Sequence, residues 1–378
     1  MKKNNLIISP DFPPPLIGGS LVYIHNLIEN SGLNFSILSD KKKRISTKKI
    51  RYLESSFIVN SSNPKRYQLF LMYLYLFLNI YKFSQYKVIV LNISAIGNGF
   101  FAYIFSKLGS KIVIMVYAEE ITLALKSRGV KGYLKKLCIK GYKKASKIVS
   151  VSHFAKSILI KEVGVSCEIE VLPTPLHSSR NDNLKIVNKK INKNIKLLSV
   201  GRLIKRKGFI YLLKAMRLLV EQKYNIKLTI IGDGAERESI DLFIKNNNLS
   251  KFVDVFSSVN DEFLINQYKS HDIFILANLM LENGDCEGAP NVLVEAASYG
   301  LPIIAGEEGG TSDVVDHNYN GFLINPRDTN IFVKRIIELF QDKDKYSQFS
   351  QNGLIKVKRD HNKKNMGNKF YKIINSLY

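Results

Sequence analysis

Short apolar segments rich in Ile, Val and Leu alternate with longer amphipathic stretches along most of the chain, and this alternation restricts the fold more than any other feature. NLIIS, NFSILSD, YKVIVLN, KIVIMVY, KIVSVS and IEVLP occupy the first half, with helical patterns between most of them. Strand, helix, strand in that rhythm builds a parallel sheet, whose two faces must both be covered by helices. Around TPLHSSRNDNLKIVNKKINKN the periodicity gives way to polar residues, and it resumes with IKLLSVG, KLTIIGDG, VDVFSSV, DIFILAN and LPIIAG. At 378 residues the chain exceeds one ordinary core. The pattern predicts an α/β protein of two doubly wound parallel-sheet domains, residues 1–176 and 195–351, joined by a linker at 177–194. A basic helix at 352–378 either returns to the first domain or lies free.

Charge is uneven. Up to His177 there are 26 Lys or Arg against 9 Asp or Glu, and in the remainder 30 against 23. Such an excess attracts anionic lipid, nucleic acid or diphosphate substrates without choosing among them. Cys138, Cys167 and Cys286 are odd in number and far apart, which fits neither a disulfide framework nor a zinc site and suits a reducing cytoplasm. The six histidines show no metal-ligand spacing, and DKD at Asp342 has no strand before it. The apolar part of MKKNNLIISPDFPPP is too short for a signal peptide. LFLMYLYLFLNIY, from Leu69, is too short to span a bilayer and reads as a buried helix or one lying at a membrane surface.

Four stretches carry chemistry. In SVGRLIKRKGFIYLLKAM, Gly201 permits a sharp exit from a strand, and Arg202 and Lys207 place two cations beside the start of a helix, a pattern that suits an anion and equally a solvated basic loop. KLTIIGDGAERESI puts Gly232 and Gly234 in a βα turn, and PPPLIGGSLVYIHNL puts Gly18 and Gly19 after the first strand; either turn suits a diphosphate or is a plain connection. In EGAPNVLVEAASYGLPII, Pro290 has the φ of a first helical residue and Gly300 stops the helix. Glu287 then lies in the preceding loop, too early to be a cap, and Glu295 in the second helical turn.

The order of PPPLIGG, ASKIVSVSHFAKSIL, SVGRLIKRKG, IIGDG and EGAPNVLVEAASYGLPIIAGEEGG resembles the family 4 retaining glycosyltransferases, especially those building bacterial surface polysaccharides. The likeness is nearly continuous from Lys196 to Asp328 and patchy before it, and Glu287 with Glu295 matches the EX7E motif of that family. The resemblance implies the GT-B fold, two Rossmann-like domains facing across a cleft, with acceptor on the first and nucleotide sugar on the second. It implies that Glu295 accepts hydrogen bonds from the ribose, that Glu287 meets the donor hexose, and that Arg202 and Lys207 stabilise the leaving diphosphate, making Arg202, Lys207 and Glu287 the catalytic set. Gly18, Gly19, Gly201, Gly232, Gly288, Ala289, Asn291 and Val292 join Glu295 in donor binding. No metal or other cofactor is then required, and the donor is the nucleoside diphosphate sugar.

Three positions depart from the family pattern. Its histidine after the KIVIMV strand is replaced by Tyr117 and Ala118, leaving Tyr117, Glu119 and Glu120 as cleft-lining candidates; PTPLH stands for its usual PNG, and AN for its usual Pro-Ser after DIFIL. The expected activity is retaining transfer of a sugar to a glycan or lipid-linked acceptor in capsule, O-antigen or exopolysaccharide synthesis. Rival readings are a GT-B epimerase or phosphorylase and, on charge alone, a nucleic-acid binder, although no such motif is present. From Lys126 to Lys147 there are nine Lys or Arg and no carboxylate. There Lys136, Ile139, Lys140, Tyr142 and Lys143 are candidates to face an anionic membrane, which places the protein in the cytoplasm or peripherally at the inner face of the plasma membrane.

Overall fold

The computed structural model describes residues 3–10, 19–39, 49–53, 66–126, 130–176, 194–257 and 259–378. They form two compact units, residues 1–175 with 363–378, and residues 176–362.

The first unit runs β1 (Lys3–Ile8), α1 (Gly19–Ser31), β2 (Phe35–Leu38), β3 (Ile50–Tyr52), α2 (Arg66–Leu78), α3 (Ile80–Ser84), β4 (Tyr86–Leu91), α4 (Ala95–Lys107), β5 (Lys111–Val116), α5 (Glu119–Lys126), α6 (Val130–Tyr142), β6 (Lys147–Ser150), α7 (His153–Ile158) and β7 (Ile169–Val171). Its strands lie in the order β3-β2-β1-β4-β5-β6-β7, each neighbouring pair parallel. Right-handed crossovers running outward in both directions from β1 and β4 put α1 on one face and α2, α4 and α6 on the other. The strand side chains divide accordingly: Leu6, Ile8, Ile89 and Leu91 join Met72, Leu76, Phe101 and Cys138 in one core.

The second unit runs β8 (Ile195–Val200), α8 (Phe209–Glu221), β9 (Ile226–Ile231), α9 (Arg237–Asn246), β10 (Val253–Phe256), α10 (Asp261–Ser270), β11 (Ile273–Leu276), α11 (Asn291–Ser298), β12 (Ile303–Gly306), β13 (Gly321–Ile324), α12 (Thr329–Gln341) and α13 (Lys343–Asp360). The sheet order is β10-β9-β8-β11-β12-β13, again all parallel. Consecutive residues of β11 serve opposite cores, Ile273 and Ile275 packing with Phe209 and Leu212, and Phe274 and Leu276 with Leu293 and Ala296. The last helix, α14 (Lys363–Asn375), packs against α1. A side chain at Gly367 would meet the Asn30 backbone at 2.3 Å, so only glycine admits that crossing.

Four sequence expectations change. Strands β3 and β13 were not anticipated. Of the two readings of the apolar run at Leu69, the buried helix is excluded and the surface helix is not: α2 buries Met72 and Leu76 but leaves Phe70 and Phe77 64% and 55% exposed. Pro290 stands at the cap position of α11 in extended conformation rather than as its first helical residue. Tyr142 is fully buried and does not face outward, because Gly141 meets Gly99 backbone to backbone and turns Cys138, Tyr142 and Ala145 into the core together. The linker expected at 177–194 lies outside the described residues except for Asn194.

Candidate functional site

The loops after β8, β9, β11 and β12 press together at the carboxyl ends of the second sheet, where ligands of such sheets bind. The Gly201 N–H donates to Ile231 O at 2.9 Å, and a side chain at Gly232 would meet Gly201 O at 1.9 Å. Gly232 thus owes its identity to a neighbouring loop. Arg202 follows, exposed, and Lys205–Lys207 then make one 3-10 turn before α8.

That turn carries Arg206 and Lys207 inside, 6% and 7% exposed. Cations this deep require carboxylates. Glu287 receives both, with Arg206 Nε 2.6 Å from Oε1 and Lys207 Nζ 3.1 Å from Oε2, while Arg206 Nη1 reaches Asp285 Oδ1 at 2.6 Å. Burial alone would raise the Glu287 pKa; Lys207 and then Arg206 outweigh it and hold the carboxyl at about 2. Glu287 is therefore ionised at neutral pH, and its side chain keeps 11% exposure through which a ligand hydroxyl has access.

The backbone of Glu287 is clamped from the other side. The Gly310 N–H donates to Glu287 O at 2.8 Å. Gly309 has φ +78°, and a side chain there would stand 2.4 Å from the same carbonyl, so this loop needs glycine for conformation and for contact. Asn278, fully buried at the end of β11, sets the loop: its amide nitrogen lies 3.1 Å from Glu308 O and 2.6 Å from Thr311 Oγ1. Glu308 in turn accepts from the Met280 N–H and pairs with Arg327.

Gly288, Ala289, Asn291 and Val292 lead from Glu287 into α11, which no side chain caps. Its first-turn N–H groups and the positive end of the helix dipole suit a phosphate. Glu295 accepts from Tyr268 Oη at 2.9 Å, and the buried Tyr268 ring stacks on Tyr299 with centroids 5.4 Å apart. The carboxylate is thereby tied to a rigid aromatic pair.

In the first unit, Gly18 lies outside the described residues and Gly19 opens α1. After β5, Tyr117 packs edge-on to Tyr23, Ala118 takes φ +84°, and the Tyr117 N–H donates to Glu120 Oε1 at 2.8 Å. Burial, opposed by that hydrogen bond, pushes the Glu120 carboxyl up to about 7. Lys136 and Lys140 on α6 and Lys143 just after it are exposed, and Ile139 is half-buried against the core.

The structure brings Lys207 and Glu287 into direct contact, and adds Arg206, Asp285, Tyr268 and Asn278, none of which was singled out from the sequence. Arg206 had no signal of its own among the neighbouring cations of KRK. Asn278 stands where Pro-Ser was expected, but its role rests on a loop far along the chain.

Two all-parallel-sheet units, the second with a clustered Glu–Arg–Lys site and an uncapped helix at the carboxyl ends of its strands, give the fold of the GT-B class. Residues 181–355 match the family described as glycosyl transferases group 1. The chain is 30% identical over 159 residues to the amylovoran biosynthesis glycosyltransferase AmsK of Erwinia amylovora, covering 42% of this chain and 39% of the relative. It is 28% identical over 230 residues to an Escherichia coli UDP-Gal:α-D-GlcNAc-diphosphoundecaprenol α-1,3-galactosyltransferase, covering 58% and 57%. The matches thus span about half the length of these curated relatives. The fold superposes on Anabaena HepE in complex with UDP and glucose with a TM-score of 0.73 at 15% identity, covering 99% of this chain and 100% of that one. Neither the family nor these relatives support the epimerase or nucleic-acid reading.

Proposed function

We propose that the protein is a retaining glycosyltransferase that moves a sugar from a nucleoside diphosphate to a glycan or lipid-linked acceptor in bacterial surface polysaccharide synthesis. The observation that carries this reading is the buried cluster of Glu287, Arg206 and Lys207 at the head of uncapped α11, with Glu295 eight residues on. Glu295 accepts from the ribose hydroxyls and Glu287 from the hexose. Asn291 and Val292 N–H groups approach the diphosphate, and Arg202 and Lys207 meet the charge that grows on it as the glycosidic bond breaks. Arg206 holds Glu287 ionised and in place. With two cations and a helix terminus on the leaving group, transfer proceeds without a metal. The leaving phosphate accepts the proton of an acceptor hydroxyl attacking from the same face, which retains configuration without an enzyme nucleophile. The names of the two relatives, one of them acting on a diphosphoundecaprenol-linked sugar, support a lipid-linked acceptor at the inner face of the plasma membrane, with Lys136, Lys140 and Lys143 toward the lipid.

The test is release of nucleoside diphosphate from a panel of UDP, GDP and ADP sugars, with and without EDTA. One sugar nucleotide turned over equally in both conditions is the expected result. No turnover with any donor refutes the transferase reading, and strict dependence on Mg²⁺ or Mn²⁺ refutes the metal-free leaving group.

A further inference from the structure

Helix α2 is apolar on both sides. Met72 and Leu76 face the core, and Tyr67, Phe70, Leu71, Leu74, Phe77 and Leu78 are 42% to 73% exposed. At 100° per residue these six fall within roughly a third of the helical circumference, directly opposite Met72 and Leu76. Tyr81, at the start of the next helix, extends the strip at 76% exposure. Scattered exposed apolar residues are ordinary, but a contiguous strip of this size marks an interaction surface.

The surroundings of the strip identify its occupant. Tyr73 fixes α2 to α4 through Ser94 Oγ at 2.8 Å and the Phe101 ring at 6.0 Å, and α4 fixes α6 through Gly99 and Gly141. The three helices therefore lie side by side on one face of the sheet. Lys107 sits 4.8 Å over the Tyr103 ring of α4, and its hydrogen bond, with the charges of Lys107, Lys140 and Lys144, lowers that phenol's pKa. Lys82, Lys107, Lys136, Lys140, Lys143 and Lys144 are all exposed. From Ser55 to Lys161 the sequence holds 17 Lys or Arg and only two carboxylates, Glu119 and Glu120. A second copy of this chain would bring like charges together around the strip, whereas an anionic surface is complementary to it. At 13 residues α2 is about 20 Å long, too short to cross a bilayer and suited to lying within the interface. Among the described residues no helix is long and apolar enough to span a membrane.

We propose that the outward face of α2 is the membrane-inserting element of the protein, seated at the boundary between headgroups and acyl chains of an anionic leaflet, with the lysines of α4 and α6 on the phosphates beside it. This deepens the lipid-linked-acceptor reading and rests on it: the enzyme meets its acceptor in two dimensions. Phenylalanine and leucine supply depth, and lysine supplies preference for anionic lipid.

The chain contains no tryptophan, so Phe77→Trp creates a single reporter. With vesicles containing phosphatidylglycerol its emission should shift to the blue and be quenched by lipids brominated along the acyl chain, and the protein should sediment with them at least tenfold more than with pure phosphatidylcholine. Phe70→Ser/Leu74→Ser/Phe77→Ser should lose sedimentation while keeping its circular dichroism and, without lipid, its affinity for nucleoside diphosphate. An unshifted reporter overturns the proposal even if the triple variant misfolds. Undiminished sedimentation of a folded triple variant overturns it as well. So does a concentration-dependent dimer of the wild type that the triple variant abolishes while vesicles leave both proteins in the supernatant. Lipid insertion together with failure to bind any nucleoside diphosphate would instead refute the transferase reading and leave the docking face standing.

Discussion

Replacing Arg206 by methionine tests whether the charge cluster at Glu287 is built as described. Methionine keeps most of the volume and removes the guanidinium from a site 6% exposed. Glu287 sits near pKa 2, against about 4.5 for a free carboxyl, which corresponds to about 3 kcal/mol of stabilisation from its surroundings. Lys207 remains, while Arg206 supplies both a charge and a hydrogen bond to the carboxylate, so its loss removes about half of that, about 1 to 2 kcal/mol, and stranding the partly hydrated Asp285 adds about 1 kcal/mol. The expected cost is about 2 to 3 kcal/mol, confined to the second unit. Because two units rarely unfold as one transition, the appropriate assay is native-state hydrogen exchange followed by mass spectrometry. Peptides covering β8 and β11 should exchange roughly 30- to 150-fold faster, and those covering β4 and β5 should be unchanged. The sign with pH is fixed: a carboxyl whose folded pKa is depressed stabilises above its unfolded pKa and loses that contribution as pH falls toward the folded one. The penalty should therefore shrink as pH falls from 7 to 3 and go on shrinking toward pH 2. A change under about 0.5 kcal/mol, or a penalty independent of pH, refutes the cluster.

Glu120 should behave in the opposite sense. Its folded pKa of about 7 means that stability falls as pH rises from about 4.5 to 7, so Glu120→Gln should stabilise the first unit above pH 7, by about 1 to 3 kcal/mol, and have little effect at pH 4. Thermal melts at both pH values check this. Arg202→Ala and Lys207→Ala should each lower kcat more than an exposed Lys→Ala change does, since leaving-group charge develops in the transition state; wild-type turnover in both removes that role. Glu287→Ala should reduce turnover more than affinity for plain nucleoside diphosphate, and equal losses would move Glu287 from the hexose to the nucleotide.

The sheet strands with four or more consecutive apolar residues were legible because β-branched residues bounded by turns have few other uses. Strands β3 and β13 were not: IRY and GFLI are three and four residues long at sheet edges, where pairing to a neighbour, not composition, creates the strand. Glu287 and Glu295 were legible through their spacing. Arg206 was hidden among five Lys or Arg between positions 202 and 214, since sequence does not reveal which of several cations is turned inward. Asn278 was hidden because its role depends on a loop 28 to 33 residues away. Tyr142 was misassigned because helical periodicity alone did not register the Gly99–Gly141 contact that rotates α6.

Calorimetric titration of UDP, GDP and ADP into the wild-type protein and Glu295→Ala tests the central assignment most directly. One nucleotide should bind the wild type, and the variant should bind it roughly 10- to 150-fold more weakly, the loss of a charge-assisted acceptor worth about 1.5 to 3 kcal/mol, with its fold intact. Equal affinity in the two proteins, or binding of none of the three, would contradict a nucleotide sugar held by Glu295.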